Sequence, residues 1–375
     1  MKFLSCVIAS YLVARCVADV DEHDGKCDSR FVECEAVCQF ACDSDSDVKE
    51  IADLVNHHDV LRDLPWSHVS GHKQVDREVY KSSILTAFGH ASATRERAGT
   101  PAPKSGLSKR LSEYASIAKS DPRLFAWPCL DHCQYECMHK TVAESGKVVK
   151  FFGKWPFQRV FIFQEFLSSL YSFFNAAPYI WFTTSKTFRT LTPIHFRVYA
   201  IIIALMWIAS GVFHGKDTQL TMHIDYFSAF GGVVANCTLP LVLLVPRSFK
   251  TISVLLMSLL WLGHVAYMGF VEFDFDWNML AAIVVAIAGT SLWTLWWFRN
   301  RKIRPHAWVI PAITIGLLPL FVTMELNDFP PGAMGLADAH SFWHLSTIPI
   351  SCAWALFMYK ESHFAPKQAL SKKGA

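Results

Sequence analysis

Three histidines, one serine and one aspartate carry the chemistry this sequence offers. Ser210 stands four residues before His214, Asp225 follows eleven residues later, and His340 precedes His344 by four. Each set lies at the edge of a long apolar run, where ionisable groups are costly and default to function. On a helix, residues four apart share a face, so Ser210 with His214 and His340 with His344 each form one stripe. Three neutral imidazoles with an open fourth position are the ligand set of a hydrolytic zinc, which activates water near neutral pH. Beside such a centre Asp225 could orient the water or take its proton. Ser210 could donate a hydrogen bond to a developing oxyanion. A Ser-His-Asp triad with Ser210 as nucleophile is the rival use of these groups. It leaves His340 and His344 without a task, and zinc is the preferred expectation. His195, His223, His264 and His306 read instead as amphipathic residues at the headgroups.

Helices in a membrane must position these groups. The 375 residues are 52% hydrophobic, with 13 Trp and 29 Phe, more apolar matter than a water-soluble domain of this size needs. From Phe161 on, seven segments reach spanning length: Phe161–Phe182, Arg197–Phe213, Tyr226–Val245, Ile252–Val271, Trp277–Phe298, His306–Met324 and His340–Tyr359. The first, third and fifth connections carry Lys and Arg, among them Arg189, Arg247 and Arg301. The second, fourth and sixth carry mainly acids, such as Asp217, Asp274 and Glu325. The positive-inside rule then puts the odd connections and the tail in the cytosol. His214, Asp225, His340 and His344 fall together at the lumenal side. Asn236-Cys-Thr238 matches a glycosylation sequon but lies within the third span, and is expected to be unused. No Gly-rich phosphate loop, heptad array or internal repeat stands out, and nothing points to nucleic acid.

Ahead of the spans, Lys2, the apolar run Phe3–Ala14 and Cys16-Val17-Ala18 read as a signal peptide of residues 1–18. Residues 19–158 would then be a lumenal region in which disulfides form. It holds two runs, Cys34, Cys38, Cys42 and Cys129, Cys133, Cys137, each placing three sulfurs on one helix stripe. Two such stripes facing each other could be joined by three disulfides, with zinc binding as the weaker alternative and Cys27 left over. Residues 44–120 are polar and read as a low-order insertion, with Thr100-Pro-Ala-Pro-Lys as its clearest linker. The expected architecture is therefore an all-α membrane protein, a seven-helix bundle over 159–360 behind a disulfide-rich lumenal region. The tail, 361–375, ends Lys372-Lys373-Gly-Ala and resembles a dilysine signal for the endoplasmic reticulum.

Ser210-x3-His214, Asp225 and His340-x3-His344 resemble the signature of the CREST superfamily of seven-span proteins, which includes the alkaline ceramidases and the progestin and adipoQ receptors. A closer resemblance runs from Cys34 onward. Phe152-Gly-Lys-Trp-Pro-Phe157, Phe163-Gln-Glu165, Asn175, Val212-Phe-His214, Asp225-Tyr-Phe227 and Asp338-Ala-His-x-x-Trp-His344 are similar to the GPI-remodelling lipid hydrolases of animals and fungi. That resemblance implies removal of the sn-2 acyl chain from the phosphatidylinositol of GPI anchors already attached to protein. The partners implied are GPI-anchored proteins and membrane lipids. It implies Zn2+ as cofactor, His214, His340 and His344 as its ligands, and Ser210 and Asp225 beside them. Glu165 and Asn175 match polar positions shared across the superfamily and serve either span packing or a second cation site. The dilysine-like ending favours the endoplasmic reticulum membrane, whereas some members of the family reside in the Golgi. A different lipid hydrolase such as a ceramidase, and a non-catalytic receptor or GPI-binding chaperone, remain the alternatives.

Overall fold

The computed structural model describes Asp28, Phe31, Cys34, Glu35, Cys38 and residues 127–332 and 334–373. The signal peptide of residues 1–18, Cys27, Cys42, the insertion at 44–120 and the last two residues of the tail lie outside the described residues. The chain divides into two compact units, Met1–Pro156 and Phe157–Ala375.

In the first unit, helix α1 (Cys129–Ser145) begins after Pro128 and ends at Gly146, whose φ of 66° is the left-handed C-cap conformation glycine tolerates. Its cysteines do share a stripe. Cys133 bonds to Cys38 and Cys137 to Cys34, so the two cysteine runs lie antiparallel. Cys129 is disulfide-bonded too. Beside the bridges Gln134 donates to Glu35 at 2.9 Å. Each bridge closes a loop of about a hundred residues, worth roughly 4–5 kcal/mol in the chain-entropy account for the first one formed.

The second unit is built from α2 (Phe166–Thr184), α3 (Ile194–Gly215), α4 (Gln219–Leu244), α5 (Lys250–Phe270), α6 (Phe275–Asn300), α7 (Leu318–Asn327) and α8 (Ala339–Lys373). A 3-10 turn, Pro305–Trp308, and a π-helical turn, Ala312–Leu317, lead into α7. Polar side chains cap the starts of α4 and α6. Thr218 forms a capping box with Thr221 at α4, and Asp274 accepts from the amides of Asp276 and Trp277 at α6. Among the described residues there is no strand, only the isolated bridges Phe151–Lys154 and Val160–Phe163.

Five helical stretches are long and apolar enough to cross a membrane: Ile194–Gly215, Gln219–Leu244, Arg247–Phe270, Phe275–Asn300 and Pro305–Thr323. The outward faces of α5 and α6 show Leu255, Leu256, Leu259, Leu280, Ile283 and Ile287 to the surroundings, a surface suited to lipid. Five of the seven expected spans thus stand out on length and apolarity. The first and last expected spans are helices, α2 and α8, but buried polar residues lower their hydropathy. On α2 these are Ser168, Ser169, Ser172 and Asn175; on α8 they include Ser341, His344, Thr347 and Ser351.

Those two polar stripes face each other, because α8 packs on α2, α2 on α3, and α3 on α4, with α5 and α6 on the far side of α4. An aromatic core of Phe196, Trp293, Trp296, Trp354 and Phe357 joins them. Trp293 Nε1 donates to the carbonyl of Asn236 at 3.1 Å, and Tyr199 to that residue's Oδ1 at 3.3 Å. Where α6 meets α4, a Cβ on Gly289 would come within 3.2 Å of the backbone Cα of Cys237. Gly289→Leu should therefore push the helices apart and lower stability by about 1–3 kcal/mol, read as a lower melting temperature in detergent. An unchanged melting temperature would mean the helices can separate freely.

Further along α8, Glu361 is buried between a guanidinium and an imidazole. It pairs with Arg304 and accepts from His306 Nε2 at 2.8 Å. At 1.5 Å per residue this cluster lies about 25 Å along α8 from His344.

Candidate metal centre

His214, in the last turn of α3, comes together with His340 and His344, in the first two turns of α8. His344 Nε2 lies 2.9 Å from His340 Nε2, and His340 Nε2 lies 3.3 Å from His214 Nε2. The ligand atoms of all three lie within 4.8 Å of one another. A tetrahedral zinc with Zn–N of about 2.0–2.1 Å would set its nitrogens roughly 3.3 Å apart. His214 and His344 are buried, and His340 is half-buried.

The groups behind the imidazoles decide which nitrogens face inward. Glu165 Oε2 lies 2.6 Å from His214 Nδ1. A carboxylate only accepts, so Nδ1 carries the proton and Nε2 offers its lone pair to the cluster. This is the carboxylate–histidine pairing that orients metal ligands. The backbone secures the same contact, since the amides of Gln164 and Glu165 donate to the carbonyls of Gly215 and His214, each at 2.9 Å. Lone pairs converging on one point repel unless a cation sits among them. The donor set, three imidazoles without a thiolate, fits zinc.

Each residue expected at the site can be located against this cluster. Ser210 is buried one turn before His214 on α3, and its hydroxyl lies 3.2 Å from Ser172 Oγ rather than on a histidine. The triad use of Ser210 thus lacks its base among the described hydrogen bonds. Asp225 is half-buried early in α4 and is not one of the atoms that close on the cluster. Its neighbour Tyr226 packs on Phe213 with ring centroids 6.2 Å apart, which holds that turn of α4 beside His214. Asn175 stands apart from Glu165. Its Nδ2 donates to the carbonyl of His344 at 2.8 Å and its Oδ1 accepts from Ser351 at 2.7 Å, contacts that tie α2 to α8.

Sequence reasoning gave no role to Ser172, Asp338, Ser341 or Ser168. Ser172 Oγ lies 3.1 Å from His344 Nδ1. Asp338 caps α8, accepting from the amide of Ser341 at 2.8 Å and its hydroxyl at 2.7 Å, while Ser168 bonds Ser341 at 2.9 Å. Burial pushes the Asp338 carboxyl above its ordinary value, against the opposing pull of the Ser341 hydrogen bonds and His340. The detectable signal was Ser168-x3-Ser172-x2-Asn175, a polar stripe inside an apolar run. Two histidines read as headgroup residues are buried instead. His264 stacks on Phe230 at 3.8 Å and bonds Asn278, and His306 bonds Glu361.

Several known proteins are similar to this chain over most of its length. A mouse protein named GPI-specific phospholipase A2-like PGAP3 is 31% identical, covering 80% of this chain and 93% of its own length. Its human namesake is 32% identical over 70% of this chain and 85% of its own. The Schizosaccharomyces pombe Protein PER1 homolog is 33% identical over 62% and 74%. No solved structure matches the chain. The Per1-like family model matches residues 120–362, a stretch that holds the whole histidine cluster with Glu165 and Ser172 behind it, and the chain belongs to that family.

Proposed function

We propose that this chain is a zinc-dependent hydrolase of the sn-2 acyl ester in the phosphatidylinositol of GPI-anchored proteins. The observation that carries the reading is the convergence of three imidazole Nε2 atoms within a helix bundle whose outer faces suit lipid. The substrate class comes from the relatives named GPI-specific phospholipase A2-like.

His214, His340 and His344 would hold the zinc, which supplies Lewis acidity and an activated water. Glu165 keeps His214 in the tautomer that binds. Asp225 takes up the proton released in hydrolysis, and Ser210 donates a hydrogen bond to the ester oxygen as negative charge grows there. Residues 159–360 form the catalytic bundle, with α2 and α8 crossing the membrane beside the five apolar stretches. The histidine end faces the lumen of the endoplasmic reticulum, where GPI lipids lie. Residues 19–158 face the glycan or the anchored protein there, and the dilysine-like tail lies in the cytosol.

The test uses cells that lack their own GPI sn-2 deacylase. Expression of the chain should restore exchange of the sn-2 acyl group, removed by this chain and renewed by the cells' own acyl transfer, as read by mass spectrometry of the lipid released from purified GPI-anchored proteins. Asp225→Ala should accumulate to the same level and leave the lipid unchanged. An abundant wild type that leaves the original chain in place would sink the GPI reading, and turnover of ceramide instead would move the activity to amides.

A further inference from the structure

We propose that α2, which supplies no ligand, is the template that sets the histidine tautomers, and that Ser172 is its positioning residue for His344. This rests on the metal reading above and deepens it.

Ser172 is wholly buried, and its hydroxyl has one proton and two lone pairs. Three partners surround it: the Ser168 carbonyl at 2.8 Å, His344 Nδ1 at 3.1 Å and Ser210 Oγ at 3.2 Å. A carbonyl can only accept, so the one proton goes to Ser168, the back-bond that helical serines commonly make. The Ser172 oxygen must then accept from both other partners. His344 therefore carries its proton on Nδ1, and its Nε2 lone pair points to the place where His340 Nε2 waits 2.9 Å away. Ser210 gives its only proton to Ser172 in this arrangement, and must turn from it to reach an ester oxygen.

Glu165 and Ser172 do the same task for different ligands. Glu165 fixes His214 from the N-cap of α2, and Ser172 fixes His344 two turns later. Asn175, next along the stripe, holds the carbonyl of His344 itself. One helix thus orients ligands delivered by α3 and α8.

With Ser172→Ala, His344 Nδ1–H would be buried without an acceptor, and the tautomer with its proton on Nε2 would compete with metal. The full-length chain, purified in detergent, is stripped of metal and titrated with zinc against a competing chelator. Ser172→Ala should bind zinc about 10- to 100-fold more weakly than wild type, the usual loss for an outer partner of a ligand. Ser172→Thr, which keeps the hydroxyl, should stay within a few-fold. The melting of the zinc-free proteins controls for folding. Equal affinity in Ser172→Ala and wild type would overturn the proposal, as would a loss that Ser172→Thr shares. Wild type that binds no zinc would overturn the metal reading itself. Should Ser172→Ala fail to accumulate, the 15N shifts of His344 in zinc-free wild type decide, and a proton found on Nε2 overturns the assignment.

Discussion

If the chain is the zinc hydrolase proposed above, His340→Ala should abolish zinc binding and cut ester hydrolysis by about a thousandfold or more. His340 stands between the other two ligands, with its Nε2 2.9 Å from one and 3.3 Å from the other. Two remaining imidazoles cannot complete a zinc site, and the Lewis-acid contribution is several kcal/mol. At about 1.36 kcal/mol per tenfold, a loss near 4 kcal/mol gives that factor. His340 is also the least buried of the three, so its removal should disturb the fold least. The checks are zinc per chain by elemental mass spectrometry and acyl release from a purified GPI-anchored protein. Glu165→Gln makes the graded comparison. Its amide oxygen can still accept from His214 Nδ1 but carries no charge, and a 10- to 100-fold weaker zinc affinity is expected. Full activity in His340→Ala would remove this histidine from the chemistry.

The second large effect is on stability. Glu361→Ala would leave Arg304 and His306 without the carboxylate they share. Breaking a buried pair by removing one partner typically costs about 3–5 kcal/mol, because the remaining charge is stranded. Arg304 is partly exposed, its side chain at 19%, so the low end of that range is expected. Thermal unfolding in detergent should show a clear drop, smaller for Glu361→Gln, which keeps the shape. Zinc affinity of the folded fraction should match wild type, because the cluster lies far along α8 from the histidines. A loss of zinc affinity at unchanged melting temperature would contradict this assignment of Glu361 to the fold.

Helix positions were legible because long apolar runs alternate with charged connections, and the two His-bearing motifs because a spacing of four puts side chains on one face. The roles of Ser168 and Ser172 were not legible. A serine in an apolar helix can satisfy itself by bonding four residues back, as Ser172 does, and nothing local reveals a further partner 172 positions away. The same stripe explains why α2 and α8 stand out less than the other five, since the polar groups they carry make them less apolar than their neighbours. His264 and His306 looked solitary because their partners, Asn278 and Glu361, lie 14 and 55 residues on. The cysteine spacing, identical in both runs, fixed a stripe but not a direction, and only the structure shows the antiparallel pairing of Cys34 with Cys137.

The facing stripes of α2 and α8 also impose an order on the making of the protein. Ser168–Ser341, Ser172–His344, Asn175–His344 and Asn175–Ser351 are separated by 169 to 176 residues. Synthesis delivers the first helix with its polar side chains long before the last helix emerges to receive them. Until then α2 must wait beside α3, where Ser169 already finds the carbonyl of Gly211 at 2.7 Å. Arrival of α8 brings His340 and His344 to His214, so a chain stopped short of its last helix lacks two of the three imidazoles and every partner of the α2 stripe on that helix.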